Sequence, residues 1–360
     1  MKFKVFSKIR FFFLIYSVMI FSACHDSDKI EPEYGERTVL IYMAADNNLN
    51  KDGETNIKSI LKGMEQTAGR LVIYIDPRYD VPRLLTVKGG KGCRLDTLET
   101  YTEENSASPE VLARVVQEVQ KRYPASSYGL VLWSHGLGWV PPEYSFPGGY
   151  AMRLPDPDMP RTKYYAEDEH PRTTGKAYMD IREMAARLPG HFNFILWDVC
   201  FMGGIEVAYE LRNKTDYLIA SPAEVISDGF PYEKIVPLLW GGEEAMKQIC
   251  REYYNHYNKY PVNSLWRSAV VGLVKTGELE PLAAKVRTLL AGKTDYARAW
   301  HYPLNQGGLP MVFFDFGDYI RKMTTEEEYN SFKKLLDRVV IYKAATEKLF
   351  GDEVPADKFS

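Results

Sequence analysis

Cysteine is scarce in this sequence, and its four cysteines are not grouped. Cys24, Cys93, Cys200 and Cys250 are each separated from the next by 50 positions or more. A disulfide scaffold or a zinc site built on a CxxC motif needs closely spaced cysteines, so both are disfavoured. Each cysteine therefore has to be judged by its own surroundings.

An excess of basic charge is also missing. The chain has 45 Lys and Arg against 48 Asp and Glu, a formal net charge of −3, and no basic block. Binding of nucleic acid through phosphate neutralisation needs such a block, so we expect no nucleic-acid partner. Repeats and low-complexity tracts are absent, and 45% apolar with 26% charged residues excludes disorder, collagen and coiled coil. The 360 residues suffice for one large domain or two ordinary ones.

The N-terminus has the pattern of a secretory signal peptide. Four basic residues precede an apolar run over 11–21, and Ser22-Ala23-Cys24 follows. The run is short for a bilayer span, which makes a transmembrane anchor the weaker alternative. The Ser-Ala-Cys sequence resembles a bacterial lipobox, although Phe21 stands where Leu is usual.

That resemblance implies cleavage after residue 23 and lipidation of Cys24. The mature chain would then carry about −7, from 41 basic and 48 acidic residues, and its acyl chains would hold it on a membrane. We expect an exported bacterial lipoprotein, periplasmic or at the cell surface, with residues 24–36 as the lipidated cysteine and its tether.

From residue 37 onward, short apolar runs alternate with helical patterns. Runs that are apolar on both faces predict strands buried in a parallel sheet, and the alternation predicts an α/β fold with helices on both faces. In such a sheet, ligands bind outside the carboxyl ends of the strands. The predicted strands are 38–44, 71–75, 129–133 and 192–197, and the predicted helices are 54–67 and 109–122, the second with Ser108 as a possible N-cap before Pro109.

Two later stretches differ in character. Residues 140–177 contain seven prolines and no sustained period, which predicts a long loop that is functional or disordered. After residue 240, helical patterns dominate. We therefore expect a main domain over 37–240 and a smaller, mainly helical subdomain over 241–360. The latter has predicted helices at 243–260, 278–292 and 325–349 and strand-like runs at 268–274 and 310–316.

Two polar residues follow neighbouring strands at the edge where chemistry is expected. His135 follows the third strand, with Gly136 and Gly138 beyond it, and Cys200 follows the fourth, just before a predicted helix at 205–211. Adjacent parallel strands lie about 4.8 Å apart, so their ends can bring the two residues within catalytic reach. A helix N-terminus after Cys200 would favour its thiolate.

Each residue taken alone has a structural interpretation. A single histidine after a strand is more often a hydrogen-bonding residue, and a single cysteine after an apolar strand is more often a small buried side chain. Their joint placement beside glycines favours catalysis. Metal ligation by the pair is disfavoured because no convincing third or fourth ligand accompanies it. Cys93, in a hairpin-like segment at 88–94, and Cys250, in a helix, are interpreted as structural.

Several motifs, taken in order, resemble one enzyme family. The chain has YMAADNNL at 42–49, HGLGW at 135–139, DVCFMGG at 198–204, and IASP at 219–222 through DGFPY at 228–232. These are similar to the clostripain-like cysteine peptidases, relatives of the caspases, gingipains and legumains, over about residues 37–320. Val199 and Phe201 depart from the small residue and the Leu that are usual there.

The resemblance implies a caspase-like α/β fold and a cysteine endopeptidase with polypeptide substrates. Cys200 would be the nucleophile, His135 would protonate the leaving amine, and the backbone N–H groups of Gly136 and Cys200 would form the oxyanion hole. No third catalytic residue is needed. No cofactor is required, and calcium is a weak possibility because the acids at 156–158 and 167–169 lack calcium-loop spacing.

Asp198 is the candidate specificity residue. It lies two positions before the nucleophile and so shares its strand face, and the resemblance implies that an acid here lines a pocket for a substrate Arg or Lys. The alternative is that Asp198 only caps the following helix. One acid does not choose between Arg and Lys.

The resemblance also implies that the 140–177 loop is a processing site in a zymogen. Self-cleavage would occur after a basic residue. An equal alternative is that 140–177 is a long loop facing the substrate that is never cut. The alternative from a different class of function is a catalytically silent lipoprotein that binds peptide or glycan. Thiol labelling distinguishes the two, because an active nucleophile should react with a peptidyl electrophile that carries Arg or Lys, whereas an inert buried cysteine should not. The candidate processing residues are Arg153, Arg161, Lys163, Arg172 and Lys176.

Overall fold

The computed structural model describes residues 35–140, 178–293, 299, 301 and 312–350. The strands in these ranges are β1 (Gly35–Ala45), β2 (Arg70–Pro77), β3 (Arg83–Lys88), β4 (Arg94–Thr100), β5 (Ala125–Trp133), β6 (Phe192–Asp198), β7 (Thr215–Ala220), β8 (Val270–Lys275) and β9 (Val340–Ala345). The helices are α1 (Asn50–Met64), α2 (Pro109–Arg122), α3 (Ile181–Arg187), α4 (Ile205–Glu210), α5 (Tyr232–Ile235), α6 (Glu243–Asn258), α7 (Leu279–Leu290), α8 (Phe316–Met323) and α9 (Glu326–Val339).

The strands form one sheet in the order β4-β3-β2-β1-β5-β6-β7-β8-β9. Its centre, from β2 to β7, is parallel, and the two edges are antiparallel. The mostly parallel sheet predicted from the sequence is therefore confirmed. β8 and β9 come from the region after residue 241, so the proposed subdomain contributes two strands to the same sheet.

Alternate residues of the central strands pack into two separate cores. Ile41, Ile73 and Val131 point to one face of the sheet, whereas their neighbours Leu40 and Val72 point to the other. Each face is covered by helices, so both sets of side chains are buried. This explains why the central strands read as continuous apolar runs rather than as alternating ones.

Ser108 begins α2 as predicted. Its side chain accepts a hydrogen bond from the Glu110 N–H, and Pro109 occupies the first helical position, where no N–H is needed. The helix packs Leu112, Val115 and Val119 against the sheet. The predicted strand and helix positions before residue 200 agree with the structure to within a few residues.

Two predictions near the C-terminal end are wrong. Residues 312–315 of the run predicted as a strand form only an isolated antiparallel bridge, between Phe314 and His301. Asp315 then accepts a hydrogen bond from the Asp318 N–H and starts α8. The helix predicted over 325–349 ends at Val339, and Val340–Ala345 is strand β9, which pairs with β8. The pairing with β8, which is distant in sequence, overrides the helical pattern there.

Several predicted features lie outside the described residues. These are the signal peptide, Cys24 and most of its tether, and the loop segment 141–177 with all five candidate processing residues. In the part of the chain that the structure describes, no helix combines the length and hydropathy needed to cross a membrane.

Candidate active site

Strand pairing places His135 and Cys200 at matching positions. The last pair between β5 and β6 is Trp133 with Asp198, and both predicted catalytic residues follow two positions later. The loops that carry them touch, since a Cβ built on Gly136 would lie 3.2 Å from the Cys200 carbonyl oxygen and 2.2 Å from Val199 Cγ1. Only a glycine allows this close approach.

The Cys200 thiol is enclosed by the segment after β7. Cys200 is 0% exposed. Its Sγ accepts a hydrogen bond from the Val225 N–H at 3.0 Å and lies 3.7 Å from the Val225 carbonyl oxygen. The segment is tied to the Cys200 loop by two backbone bonds, Phe201 N–H to Ala223 O and Gly203 N–H to Ser221 O. The thiol therefore has a fixed polar partner but no contact with solvent.

The helix that follows Cys200 begins where the sequence predicted it. α4 starts at Ile205 with Gly204 as its N-cap and has six residues. The turn over residues 201–204 separates Cys200 from this helix, and stabilisation of a thiolate by the helix N-terminus stays a prediction. The Val225 N–H is a hydrogen-bond donor that points directly at the sulfur.

The turn after Cys200 contains an unusual backbone conformation. Phe201 has φ of +60°, a left-handed conformation that is unfavourable for a phenylalanine. Such strain costs about 1–3 kcal/mol and clusters at functional sites. The Phe201 ring is stacked on Phe313, with centroids 4.4 Å apart, and this packing helps to hold the strained turn.

His135 is held by an asparagine from the loop after β1. The imidazole is 6% exposed, and its Nε2 lies 2.6 Å from Asn48 Oδ1. The neighbouring Ser134 hydroxyl donates to the Ala44 carbonyl oxygen at 2.9 Å. The sequence interpretation named no partner for His135, although Asn48 is part of the YMAADNNL motif.

Asp198 is fully buried beneath the site and does not cap a helix. Its Oδ2 accepts hydrogen bonds from the Tyr232 hydroxyl at 2.9 Å and from the Phe230 N–H at 3.4 Å. α4 has no side-chain cap, so the capping alternative is wrong. Burial, and then the adjacent Asp198 carboxylate, raises the pKa of Tyr232 well above its usual value.

Two tyrosines on α6 complete the surroundings of Asp198. Tyr253 and Tyr257 are both fully buried, and the Tyr257 hydroxyl donates to the Gly229 carbonyl oxygen at 2.7 Å. The Tyr253 hydroxyl has no hydrogen-bond partner among the described residues. Burial, followed by the charges of Asp198 and Cys200, raises the pKa of Tyr253. The sequence interpretation missed both tyrosines because α6 belonged to the separate C-terminal region.

The other described cysteines have different surroundings. Cys93 lies between β3 and β4, Cys250 is buried in α6, and neither forms a disulfide within the described ranges. Burial raises the pKa of the Cys250 thiol. Among the residues described, no three His, Cys, Asp or Glu side chains gather in a way that would hold a metal ion.

Comparison with known proteins gives consistent matches. The model of the clostripain family matches residues 41–352. Clostripain from Hathewaya histolytica is 25% identical over 234 residues, which cover 57% of this chain and 42% of that protein. The match therefore spans less than half the length of this curated relative.

Two crystal structures are similar over most of the chain. An inactive zymogen C11 protease from Parabacteroides distasonis is 33% identical, covers 91% of each chain and has a TM-score of 0.74. A secreted C11 cysteine protease from Bacteroides thetaiotaomicron, bound to an irreversible peptide inhibitor, is 29% identical, with 87% of this chain and 86% of that chain covered and a TM-score of 0.74. These similarities confirm the predicted caspase-like fold.

Proposed function

The chain belongs to the clostripain family of cysteine-type peptidases, and from this premise we propose that it is an endopeptidase that hydrolyses peptide bonds after Arg or Lys. The observation that carries the proposal is the meeting of the His135 and Cys200 loops at the ends of adjacent parallel strands. Nucleophilic catalysis needs a thiol and a proton carrier in such proximity.

Cys200 and His135 have complementary roles in the proposed reaction. The Cys200 thiolate attacks the substrate carbonyl carbon, and His135 donates its proton to the leaving amine, which leaves a thioester that water then hydrolyses. The Val225 N–H bond to Sγ supports this role, since a hydrogen-bond donor stabilises the charged form of the sulfur.

The backbone N–H groups of Gly136 and Cys200 form the proposed oxyanion hole. The absence of a side chain at Gly136 is what allows its backbone to approach Cys200. Donors fixed in this way stabilise the tetrahedral oxyanion without reorganising, and the loss of one such donor typically lowers kcat by about 10²–10³.

Asp198 is the proposed recognition residue for the basic side chain. It is buried two positions before the nucleophile, beside the Tyr253 hydroxyl, which has no partner within the described chain. A guanidinium or ammonium group would join this network or displace the Phe230 N–H, which makes the longer of the two hydrogen bonds described above, at 3.4 Å. A buried carboxylate pairs strongly with such a group.

Activation by self-cleavage is part of the proposal. Because Cys200 is 0% exposed, the segment over the thiol has to shift before a substrate carbonyl reaches Sγ. We propose that cleavage within 140–177, after one of the five basic residues named above, accompanies this shift. The similarity to an inactive zymogen of the same family supports the idea.

Attachment to a membrane through lipidated Cys24 is also proposed. The Ser22-Ala23-Cys24 sequence supports it, and the similarity to a secreted protease from Bacteroides thetaiotaomicron is consistent with export. Expression of wild type and Cys24→Ala with a clickable fatty acid tests the proposal. Lipid should label the wild type only, and equal labelling of the variant would reject Cys24 as the site.

The activity is tested with wild type, Cys200→Ala and, as a matched cysteine control, Cys93→Ala. Fluorogenic peptides ending in Arg, Lys, Asp or Leu are the substrates, and gels follow the chain over time. We expect cleavage after Arg or Lys in the wild type and Cys93→Ala, and none in Cys200→Ala. A split between His135 and Cys200 that occurs only in the active proteins would establish self-processing.

The same assay with Asp198→Asn tests specificity. A hydrogen bond to a charged group contributes about 1.5–3 kcal/mol, so kcat/KM for the peptides ending in Arg or Lys should fall about 10- to 100-fold. The value of kcat/KM for the peptide ending in Leu should not change. An equal fall for all peptides would assign Asp198 a purely structural role.

The peptidase proposal itself fails if the wild type neither cleaves any peptide nor reacts with an Arg- or Lys-bearing electrophile, even after proteolytic nicking of 140–177. The catalytically silent, binding lipoprotein would then be the better explanation.

A further inference from the structure

His135 has a close partner that the Cys–His pair alone does not require. Asn48 Oδ1 lies 2.6 Å from His135 Nε2, although the two residues are 87 positions apart in the chain. The Asn48 side chain is exposed, whereas the imidazole is buried. The contact therefore lies on the solvent side of the histidine.

The loop that carries Asn48 is held rigidly by its own hydrogen bonds. The Asn47 side chain accepts from the Leu49 N–H at 2.9 Å and donates to the Ala44 carbonyl oxygen at 3.0 Å. These bonds fix the turn between β1 and α1.

The same carbonyl oxygen joins this loop to the histidine loop. Ala44 O also accepts from the Ser134 hydroxyl at 2.9 Å, and β1 pairs with β5 up to Met43 and Trp133. Asn48 and His135 are thus presented to each other by two loops that are fixed at one shared point, the Ala44 carbonyl oxygen.

An amide oxygen accepts hydrogen bonds but donates none. A neutral imidazole whose Nε2 faces such an oxygen therefore carries its hydrogen on Nε2, which makes Nδ1 the nitrogen with the lone pair. Nδ1 is buried. In this tautomer, the buried nitrogen is the one able to exchange a proton with a thiol.

We propose that Asn48 is a positioning residue that fixes the tautomer and the ring orientation of His135 for proton transfer at Nδ1. The proposal rests on the peptidase function and adds a third residue to the two identified from the sequence. Asn48 touches neither the substrate nor the sulfur in this role, and it acts only through His135. A neutral acceptor orients the ring without adding a charge to the site.

Kinetics of Asn48→Ala, Asn48→Asp and Asn213→Ala test the proposal. Asn213 is an exposed asparagine in the loop before β7, at the opposite end of the sheet, and serves as the matched control. Removal of the partner that orients a metal-bound histidine typically lowers activity about 10- to 100-fold, and we expect a similar range for a histidine that transfers protons. We expect Asn48→Ala to lose this much in kcat with little change in KM, Asn48→Asp to recover part of it because a carboxylate oxygen also accepts, and Asn213→Ala to match the wild type.

A second measurement reads the tautomer without relying on activity. The full chain in the Cys200→Ala background, with ¹⁵N-labelled histidine, is studied by NMR, and His135 is assigned by comparison with a His135→Gln sample. We expect the Nε2–H tautomer when Asn48 is present and a mixture of tautomers in Asn48→Ala. Detection of the Nδ1–H tautomer with Asn48 present would overturn the proposal.

The two measurements separate failure of this inference from failure of the peptidase proposal. Full kcat in Asn48→Ala, in a wild type that cleaves peptides, would reject the role of Asn48 and leave the peptidase standing. A wild type that is inert on every peptide would reject the peptidase proposal, and the NMR tautomer would still decide whether Asn48 controls His135.

Discussion

Tyr253 and Tyr257, one turn apart on α6, differ in a single hydrogen bond. Both rings are fully buried, but only the Tyr257 hydroxyl has a partner among the described residues, the Gly229 carbonyl oxygen at 2.7 Å. A buried polar group without a partner destabilises a protein, whereas a satisfied one is neutral or favourable. The structure thus keeps an energetically unfavourable hydroxyl on a side chain that feels the charge of Asp198, the proposed recognition residue.

Removal of each hydroxyl should therefore have opposite effects on stability. Tyr253→Phe is expected to raise the free energy of unfolding by about 1 kcal/mol, and Tyr257→Phe to lower it by about 1 kcal/mol. Urea denaturation of the two variants and the wild type measures both values. A loss of stability in both would mean that the Tyr253 hydroxyl is satisfied in solution.

At the same scale, the sequence identified His135, Cys200 and Asp198 but not all of their partners. The three residues follow apolar strands in motifs that can be read locally. The contacts of Asp198 with Phe230 and Tyr232, and of Cys200 with Val225, join segments 25–34 residues apart. No local pattern specifies which backbone N–H meets which side chain across such a distance.

At the scale of elements, the turn after β5 and the turn after β6 are fitted to each other. A Cβ on Gly136 would lie 2.2 Å from Val199 Cγ1, a distance that real structures do not contain, so one of the two turns would have to move. Val199 is also one of the departures from the usual family sequence. The fit between the turns sets the spacing between His135 and Cys200.

Gly136→Ala should therefore lower activity while the fold survives. Since a displacement of about 1 Å at a catalytic group can lower the rate by about 100-fold, we expect a fall in kcat of that order. Gly272→Ala on β8 is the matched control, because a Cβ there would meet nothing within 4 Å. Peptide cleavage gives the rates, and near-ultraviolet circular dichroism checks the folding of each variant.

The double variant Gly136→Ala/Val199→Ala gives a sharper comparison. Shortening Val199 removes Cγ1, the atom in closest conflict, so the double variant should recover part of the activity that the single variant loses. If the two effects simply add, the conflict with Val199 is not the cause of the loss.

At the scale of the whole molecule, His256 makes the stability of the fold depend on pH. Burial, and then the positive charges of Lys259 and Lys234, lowers the pKa of His256 from 6.5 to about 4. The unfolded chain thus binds this proton near its ordinary pKa, but the folded chain binds it only in stronger acid. The contribution to stability is complete above the unfolded pKa, falls as the pH drops towards 4, and is gone below that.

This behaviour predicts a difference between the wild type and His256→Gln. After allowance for the partial exposure of the ring, we expect the wild type to lose about 1 kcal/mol more than the variant between neutral and acidic pH. Urea denaturation at pH 7.5 and at pH 4.5 provides the comparison, in which the titration of carboxylates is common to both proteins. Equal losses would show that His256 titrates alike in the folded and unfolded states.

The sequence by itself determined the central strands and the positions of the catalytic candidates. Apolar runs of strand length mark segments that are buried on both faces, and the motifs at their carboxyl ends are contiguous in sequence. The strands and the motifs can therefore both be recognised from short stretches of the chain. Strand β9 could not be predicted in this way, because its residues continue a helical pattern and form a strand only through pairing with β8.

Only the tertiary structure decided how the site is assembled. The covering of Cys200 by Val225, the enclosure of Asp198 and the bond between Asn48 and His135 each join residues that are distant in the chain. Strand order and register select these partners, and neither follows from the composition or periodicity of one segment. Sequence therefore identified the chemical groups, and the packing of the sheet fixed which of them meet.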